Sequence, residues 1–316
     1  DYGFPESHAA AFAQLVYVSA WVKCHHPAIF ACALLNSQPM GFYAPAQIVR
    51  DARDHGVAVR PPDVNASEWD CSVEREGEAL ALRLGLRQIA GLSEEEGRKV
   101  AERRGDGYGS PHSLWRRAGL GGRALQALAS GDAFGSLKLS RRDALWAVKA
   151  LGRPPAPLLA ALDQSEPAVH LPAASAGEEV VHDYASLKLS LKAHPLALLR
   201  PQLAAMRVVP AAALAGDGGR AAVAGLVLMR QRPGTASGVV FLTLEDESGV
   251  ANIVVWPQVF ERFRQRVMTA ACLRVEGRVQ REGLVVHVVA ERLTDLTPAL
   301  ASLGEGGVRP QSRDFH

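Results

Sequence analysis

The spacing of apolar residues changes at Arg220, and this change constrains the fold more than any other feature of the chain. Upstream, apolar residues recur mainly at helical intervals, whereas downstream they alternate with polar residues, as in half-buried strands. Five strands are predicted there, with a helix over residues 257–268 between the third and the fourth. This order describes an OB-fold barrel. The strands are predicted at residues 222–229, 239–245, 250–256, 273–280 and 284–290.

OB barrels bind single-stranded nucleic acid through a basic groove and through aromatic side chains that stack on bases. Four arginines of this region can supply the groove, and Phe241 can supply a stacking ring. Because Phe241 is a single candidate ring, a barrel used for protein contact is an equally weighted alternative. The four arginines are Arg230, Arg232, Arg278 and Arg281.

A turn of the helix-hairpin-helix type is predicted at Ile89-Ala90-Gly91-Leu92, followed by a helix that Ser93 and Glu96 open as a capping box. An apolar–glycine–apolar turn aims the free N–H groups of the following helix outward, where they can hold a DNA phosphate oxygen. The predicted phosphate contacts at this first turn are Gly91, Ser93, Arg98 and Lys99.

A second turn of this type is predicted at residues 134–139, before a helix that opens with Ser140 and Asp143. Arg141 and Arg142 lie in its first turn, where they oppose the helix dipole and gain more from an external anion than from their own helix. Both are therefore predicted to bind DNA phosphates. Two capped helices with solvated charges are the alternative.

The charge distribution agrees with nucleic-acid binding. The formal net charge is only +2, but residues 81–150 contain 13 basic and 7 acidic side chains and residues 220–292 contain 10 and 7. Residues 1–80, by contrast, contain 5 basic and 10 acidic side chains. The two basic segments coincide with the two predicted nucleic-acid-binding modules.

The sequence does not favour three classes of protein: membrane-spanning proteins, disulfide-stabilised proteins and zinc-binding proteins. No run of about 18 uncharged apolar residues occurs, so no transmembrane helix is predicted. Four scattered cysteines are too few for a disulfide framework and favour a reducing compartment, so a cytoplasmic location is expected. Cysteine and histidine do not occur at zinc-ligand spacing.

Several stretches carry a family resemblance, and they occur in order along the chain. Together they resemble the C-terminal third of bacterial C-family DNA polymerases, the family of the polymerase III alpha subunit. They are Tyr2-Gly3-Phe4-Pro5-Glu6-Ser7-His8-Ala9, Trp21-Val22-Lys23-Cys24-His25-His26-Pro27, Pro61-Pro62-Asp63-Val64-Asn65, Leu84-Gly85-Leu86-Arg87-Gln88-Ile89-Ala90-Gly91-Leu92, Val223-Ala224-Gly225-Leu226-Val227, and Thr243-Leu244-Glu245-Asp246 with Gly249.

Within that family the chain looks most like the error-prone, damage-inducible branch. The supporting features are Phe4-Pro5-Glu6-Ser7-His8, the segment Leu35-Asn36-Ser37-Gln38-Pro39-Met40-Gly41-Phe42-Tyr43, and the ending Ser312-Arg313-Asp314-Phe315-His316. Replicative relatives continue into a domain that binds the clamp loader. The resemblance implies that the sliding clamp is reached indirectly, through an accessory Y-family-like protein.

The resemblance implies an α+β multidomain architecture. Its expected parts are the end of the fingers domain over residues 1–75, a tandem helix-hairpin-helix module over 76–151, a linker and short helical connection over 152–217, an OB domain over 218–296 and a tail over 297–316.

The resemblance also implies DNA-directed nucleotidyl transfer, with Mg²⁺ held by palm carboxylates that this chain lacks. No catalytic residue is predicted here, and the chain alone is expected to be inactive. Ser7 and His8 would lie near the incoming deoxynucleotide; a purely structural His8 is a comparable alternative.

Two other classes of function remain open. One is a noncatalytic nucleic-acid-binding or scaffold protein built from the same two modules. The other is an RNA-binding OB protein of the synthetase type, which the helix-hairpin-helix elements disfavour.

Overall fold

A computed structural model describes residues 6–41, 43–151, 171–214, 218–283, 285–310 and 312–315. The chain divides into two compact units, the first comprising residues 1–173 with 186–189 and the second residues 174–185 with 190–316. Residues 152–170 of the predicted linker and helical connection lie outside the described residues.

Three helices open the first unit. Helices α1 and α2 meet at Pro27, because proline fits the first turn of α2, where its missing N–H is not needed. Helix α1 buries none of its residues. The three helices are α1 (Glu6–His25), α2 (Pro27–Asn36) and α3 (Pro45–Asp54).

A small sheet follows, in the order β1-β3-β2. Strands β2 and β3 are antiparallel and form a hairpin, while β1 pairs with β3 in parallel. The strands are β1 (Val59–Arg60), β2 (Ser72–Glu76) and β3 (Ala79–Arg83).

Four helices complete the described part of the first unit, and α5 continues directly into a π-turn, Trp115–Gly119. They surround a core of fully buried side chains that includes Leu114, Leu125 and Phe134. The helices are α4 (Glu94–Glu102), α5 (Pro111–Leu114), α6 (Gly122–Ser130) and α7 (Arg141–Lys149).

The second unit is built on a closed barrel. Strand β4 pairs with β5 and with β7, and the sheet runs β5-β6-β8-β7-β4, so every barrel strand has two neighbours. Helix α10 lies between the third and fourth barrel strands, which confirms the predicted OB-fold. The elements are β4 (Arg220–Gln231), β5 (Val240–Glu245), β6 (Val250–Val255), α10 (Pro257–Thr269), β7 (Cys272–Glu282) and β8 (Val285–Asp295).

Two helices precede the barrel: α8 (Ala176–Leu187), most of which belongs to the second unit, and α9 (Pro195–Ala205). The predicted connection over residues 152–217 is thus helical over much of its described part. Val180, Leu196 and Leu199 from these helices share an apolar core with Leu226 of β4 and Cys272 of β7. This core is separate from the barrel interior, which holds residues such as Leu242, Val255 and Val288.

Two short elements close the chain. Helix α11 covers Thr297–Ala301, and a strand that the sequence pattern did not predict, β9 (Arg313–Phe315), pairs in parallel with β4. Within the described ranges, no helix has the length and apolar character needed to cross a membrane.

Candidate nucleic-acid interface

The first hairpin turn has the predicted local geometry. Gly91 has φ +84°, and a Cβ built there would meet no atom within 4 Å, so the turn is open to solvent. Ile89 and Leu92 on either side are buried and anchor it. Only glycine adopts this conformation without strain, which explains the residue at this position.

Ser93 forms the predicted capping box. Its Oγ accepts a hydrogen bond from the Glu96 N–H at 3.3 Å, and Glu96 Oε2 accepts from the Ser93 N–H at 3.2 Å. Two of the N–H groups at this helix start are therefore already bound. The capping box does not bind the N–H groups of Glu94 and Glu95, but each of these residues carries a negatively charged side chain of its own.

The two cations predicted at the first turn are paired within α4. Arg98 Nη2 lies 2.7 Å from Glu94 Oε1, and Lys99 Nζ lies 2.6 Å from Glu95 Oε1. Hydrogen bonding to Glu94 raises the pKa of Arg98, and hydrogen bonding to Lys99 lowers the pKa of Glu95. The sequence carried the signal for this pairing, because both pairs have the i,i+4 spacing that brings side chains together on a helix.

The second predicted turn points inward rather than outward. Its Gly135 does not adopt a positive φ, and the Ser136 N–H donates to Asp63 Oδ2 at 2.8 Å. Asp63 is a buried carboxylate, and Asn65 Nδ2 also donates to Ser136 Oγ at 3.0 Å. The Pro61-Pro62-Asp63-Val64-Asn65 segment therefore binds the turn itself, whereas contact of the following helix's N–H groups with a phosphate stays a prediction.

The arginines after this turn are also engaged within the first unit. Arg141 is 2% exposed, and its Nη2 lies 3.8 Å from Asp132 Oδ2. Arg142 Nη1 donates to the Pro172 carbonyl at 2.6 Å. The assumption that both gain more from an external anion than from their surroundings is wrong for Arg141, whose guanidinium is enclosed.

A different glycine turn joins two helical segments, and the sequence interpretation missed it. Gly119, at the end of the π-turn, has φ +65°, Leu120 is buried, and Gly121 is the N-cap residue of α6, with no side-chain cap. The signal was the Gly119-Leu120-Gly121-Gly122 sequence, which has the apolar–glycine pattern applied at Gly91.

The barrel carries a row of outward side chains across four strands. Phe241 of β5, which is 37% exposed, is registered with Val254 of β6, Val254 with Val289 of β8, and Val289 with Arg278 of β7. Three inter-strand spacings of about 4.8 Å each separate Phe241 from Arg278 along the curved surface of the barrel. A parallel polar row consists of Thr243, Asn252, His287 and Gln280.

The four predicted barrel arginines differ in position. Arg230 is only 6% exposed: its Nε donates to the Val267 carbonyl at 2.6 Å, and its Nη1 lies 3.2 Å from Asp314 Oδ1. Arg230 therefore fastens β9 and α10 to β4 and does not line a strand-binding groove. Arg278 and Arg281 are exposed on β7, and exposed Arg232 stacks on Phe260, 5.0 Å from the ring centre.

Comparisons with known proteins connect these modules. A family model described as a helix-hairpin-helix motif matches residues 56–144, and one described as an OB-fold nucleic acid binding domain matches residues 221–296. The error-prone DNA polymerase of Ruegeria pomeroyi is 60% identical over 311 residues, covering 96% of this chain and 28% of the relative. Over 96% of its length the chain is similar in sequence to part of an error-prone DNA polymerase.

A second such polymerase, error-prone DNA polymerase 1 of Agrobacterium fabrum, is 52% identical over 325 residues, covering 96% of this chain and 30% of the relative. The chain thus spans less than a third of the length of these error-prone polymerases. Among solved structures, asparaginyl-tRNA synthetase from Pyrococcus horikoshii is similar over 25% of this chain and 20% of its own, with 26% identity and a TM-score of 0.23.

The residues expected near a nucleotide in a polymerase lie at the start of α1. Ser7 and His8 are both exposed, and the His8 ring lies 4.3 Å from the ring of Phe12. Their role stays a prediction. Within the described ranges, no group of three or more His, Cys, Asp or Glu side chains could hold a metal ion. The described residues therefore do not fit the Mg²⁺ site of a polymerase.

Replacing Gly91 with alanine is expected to lower the free energy of unfolding of the first unit by about 1 kcal/mol, because alanine is strained at positive φ. Gly122→Ala is the matched control, since Gly122 lies in the first turn of α6 with no atom within 4 Å of a Cβ. It should raise stability by about 0.5 kcal/mol. Hydrogen exchange of peptides from this unit measures both; equal effects would contradict the role given to Gly91.

Proposed function

We propose that this chain is the DNA-contacting part of an error-prone DNA-directed DNA polymerase, and that it holds primer-template DNA while residues outside it join the nucleotide. The observation that carries this proposal is the 60% identity over 311 residues to a protein of that name. The matches to a helix-hairpin-helix motif and to a nucleic-acid-binding OB-fold support it.

The helix-hairpin-helix module and the OB barrel would bind different parts of the DNA, because their surfaces offer different chemistry. The helix-hairpin-helix module would bind the duplex through its sugar–phosphate backbone. Such binding is independent of sequence and therefore suits any template. The barrel would hold the single-stranded template, with Phe241 stacking on a base, Arg278 and Arg281 contacting phosphates, and the polar row offering hydrogen bonds.

The finer parts of the proposal extend to the whole protein. They are synthesis across DNA damage, deoxynucleotides as substrates, Mg²⁺ bound by an upstream palm, contact of Ser7 and His8 with the incoming nucleotide, a sliding clamp reached through an accessory protein, and a cytoplasmic location. Within this chain the groups described above bind and orient DNA; the metal-assisted step would be supplied elsewhere.

Replacing Phe241 with alanine is expected to weaken binding of single-stranded DNA about tenfold or more, because one base–aromatic stack contributes about 1–3 kcal/mol. The measurement is fluorescence anisotropy of a labelled oligonucleotide with the 316-residue chain. Trp146→Ala is the control, because Trp146 is an exposed aromatic on α7, outside the barrel. If both variants bind like the unchanged chain, the barrel does not hold a strand by stacking.

The alternative is a noncatalytic binding or scaffold protein. The two are separated by adding the chain to an upstream polypeptide encoded in the same reading frame: primer extension that depends on this chain supports the polymerase proposal. DNA binding without any dependence of primer extension on this chain supports the alternative.

A further inference from the structure

Arginine side chains of two segments of the first unit reach across to each other. Arg103 Nη1, at the end of α4, donates to the Arg117 carbonyl at 3.2 Å. Arg117 Nη2, in the π-turn, donates to the Arg104 carbonyl at 3.0 Å and also to the Gly107 carbonyl. The guanidinium of Arg117 lies 4.4 Å from the ring centre of Tyr108. Both side chains are therefore held in place although both are exposed.

The loop that receives Arg117 is itself fixed. Asn65 Nδ2 donates to the Tyr108 carbonyl at 3.0 Å, and the Tyr108 N–H donates to Asn65 Oδ1 at 2.7 Å. Gly105 and Gly107 have positive φ values of +50° and +106°, which shape the turn. Arginines that are already ordered lose less conformational entropy when they bind a ligand.

Their positive charge is not neutralised within the fold. In the part of the chain that the structure describes, no carboxylate oxygen lies within 4.0 Å of the guanidinium nitrogens of Arg103, Arg116 or Arg117. The neighbouring Arg104 is paired with Glu68 at 3.0 Å, as Arg98 is with Glu94. Backbone carbonyls satisfy hydrogen bonds of Arg103 and Arg117 but leave their full charge, and an anion would relieve the mutual repulsion.

We propose that Arg103, Arg116 and Arg117, here called the arginine cluster, bind phosphodiester oxygens of double-stranded DNA. This inference rests on the proposed function, and it assigns the cationic contacts of the hairpin module to residues other than Arg98, Lys99 and Arg141. All three members lie within the segment that matches the helix-hairpin-helix model.

The chemistry of the cluster favours a phosphate backbone over bases. A guanidinium presents a planar set of N–H donors that matches phosphate oxygens, and each arginine of the cluster keeps donors that the fold does not use. The ring of Tyr108, on which Arg117 lies, is 2% exposed, and Trp115, the residue before Arg116, is 5% exposed, so neither offers a face on which a base could stack. Duplex DNA presents phosphates outside and bases inside, so it fits a cluster of this kind.

The test measures the salt dependence of duplex binding by the full 316-residue chain. The triple variant Arg103→Gln, Arg116→Gln, Arg117→Gln is expected to show a slope of log K against log salt that is shallower by about 0.9 for each arginine. Its affinity at about 0.15 M salt should fall on the order of 100-fold. The control variant Arg98→Gln, Lys99→Gln removes two cations already paired with Glu94 and Glu95, and its slope should stay unchanged.

Arg116→Gln alone keeps the test decisive if the triple variant does not fold. Arg116 makes no side-chain hydrogen bond or ion pair in the described structure, so its replacement removes charge without removing a structural contact. Its slope should be shallower by about 0.9.

Three results distinguish the two levels of the proposal. An unchanged slope in both cluster variants, while Phe241→Ala still weakens single-strand binding, overturns the arginine cluster and leaves the proposed function standing. A loss seen with duplex RNA but not with duplex DNA also overturns it. Failure of the unchanged chain to bind either form of DNA at low salt overturns the proposed function itself.

Discussion

Asp246→Ala will lower the free energy of unfolding of the barrel by about 3 kcal/mol, because it leaves backbone N–H groups without their acceptor, although Arg200 keeps its ion pair with Glu247 at 2.6 Å. Asp246 is 1% exposed, between β5 and β6. Its Oδ1 accepts from Ser248 N–H at 2.8 Å and Gly249 N–H at 3.0 Å, and its Oδ2 accepts from Ala211 N–H at 2.8 Å and Arg200 Nη2 at 3.0 Å. Alanine would leave the three backbone N–H donors without this acceptor, whereas Arg200 Nη2 still donates to Glu247 Oε2 at 2.7 Å.

Hydrogen exchange of peptides from β4 to β8 measures this loss within the intact chain. Asp295→Ala is the control, because Asp295 is a barrel carboxylate whose Oδ1 accepts a single exposed hydrogen bond, from the Thr297 N–H at 2.8 Å. Its replacement should cost about 1 kcal/mol. Similar losses for the two variants would contradict the role given to Asp246.

The same carboxylate makes the barrel sensitive to acid. Burial alone would raise the pKa of Asp246, but hydrogen bonds from Ser248 and from the Ala211 N–H, together with the Arg200 cation, lower it below its ordinary value. A pKa that is lower in the folded state stabilises the fold fully above the unfolded value of about 3.9, and this contribution is lost as pH falls through the folded pKa. Asp246→Asn should therefore flatten the acid side of the stability profile.

The barrel could be predicted from sequence because local pattern and global topology agree there. Strands that alternate apolar and polar residues must bury one face, and five of them with one helix in the observed position have few ways to do so. Asp246 entered the sequence interpretation only through a family resemblance. Its partner Arg200 lies 46 residues away, a separation that no local pattern encodes.

The candidate site was less predictable for the same reason. Charge content was read correctly as basic, but the availability of each cation depends on its neighbours in space. Pairing of Arg98 with Glu94 could be read from their spacing, whereas the enclosure of Arg141 beside Asp132 depends on a turn between α6 and α7. Among the described residues no carboxylate pairs with Arg103 or Arg117, and that becomes visible only once α4 and the π-turn are placed side by side.

Arg230 shows how a residue predicted to bind nucleic acid can instead stabilise the fold. A basic residue at the end of a barrel strand is a reasonable candidate for strand binding, yet its side chain is used to hold β9, whose Asp314 belongs to the Ser312-Arg313-Asp314-Phe315-His316 ending. β9 lies alongside β4, at the edge where β4 continues beyond its pairing with β7. Replacing Arg230 would therefore lower the stability of the barrel directly and would change DNA binding only as a consequence.

Gly277→Ala will destabilise the barrel by about 3 kcal/mol, the upper part of the range for overpacking. Gly277 lies in β7 where a β-bulge shifts the register with β8, and a Cβ there would stand 2.0 Å from the Val289 carbonyl oxygen and 3.1 Å from the Ala290 Cα. Both atoms belong to the backbone of the neighbouring strand, so no side-chain rotation relieves the overlap and β8 must move. That movement would shift Val289 and His287, which belong to the two outward rows.

Gly234→Ala is the matched control, since Gly234 lies in the loop after β4 with no atom within 4 Å of a Cβ and no positive φ. It should change stability by less than about 1 kcal/mol. Hydrogen exchange of the β7 and β8 peptides measures the stability of the barrel. Fluorescence anisotropy with a labelled single-stranded oligonucleotide measures the affinity of the outward face for DNA. Because closure of the barrel is what aligns Phe241, Val254, Val289 and Arg278, loss of protection in β8 should accompany loss of strand binding. Retained protection with normal binding would contradict the close approach of β7 and β8 at this glycine.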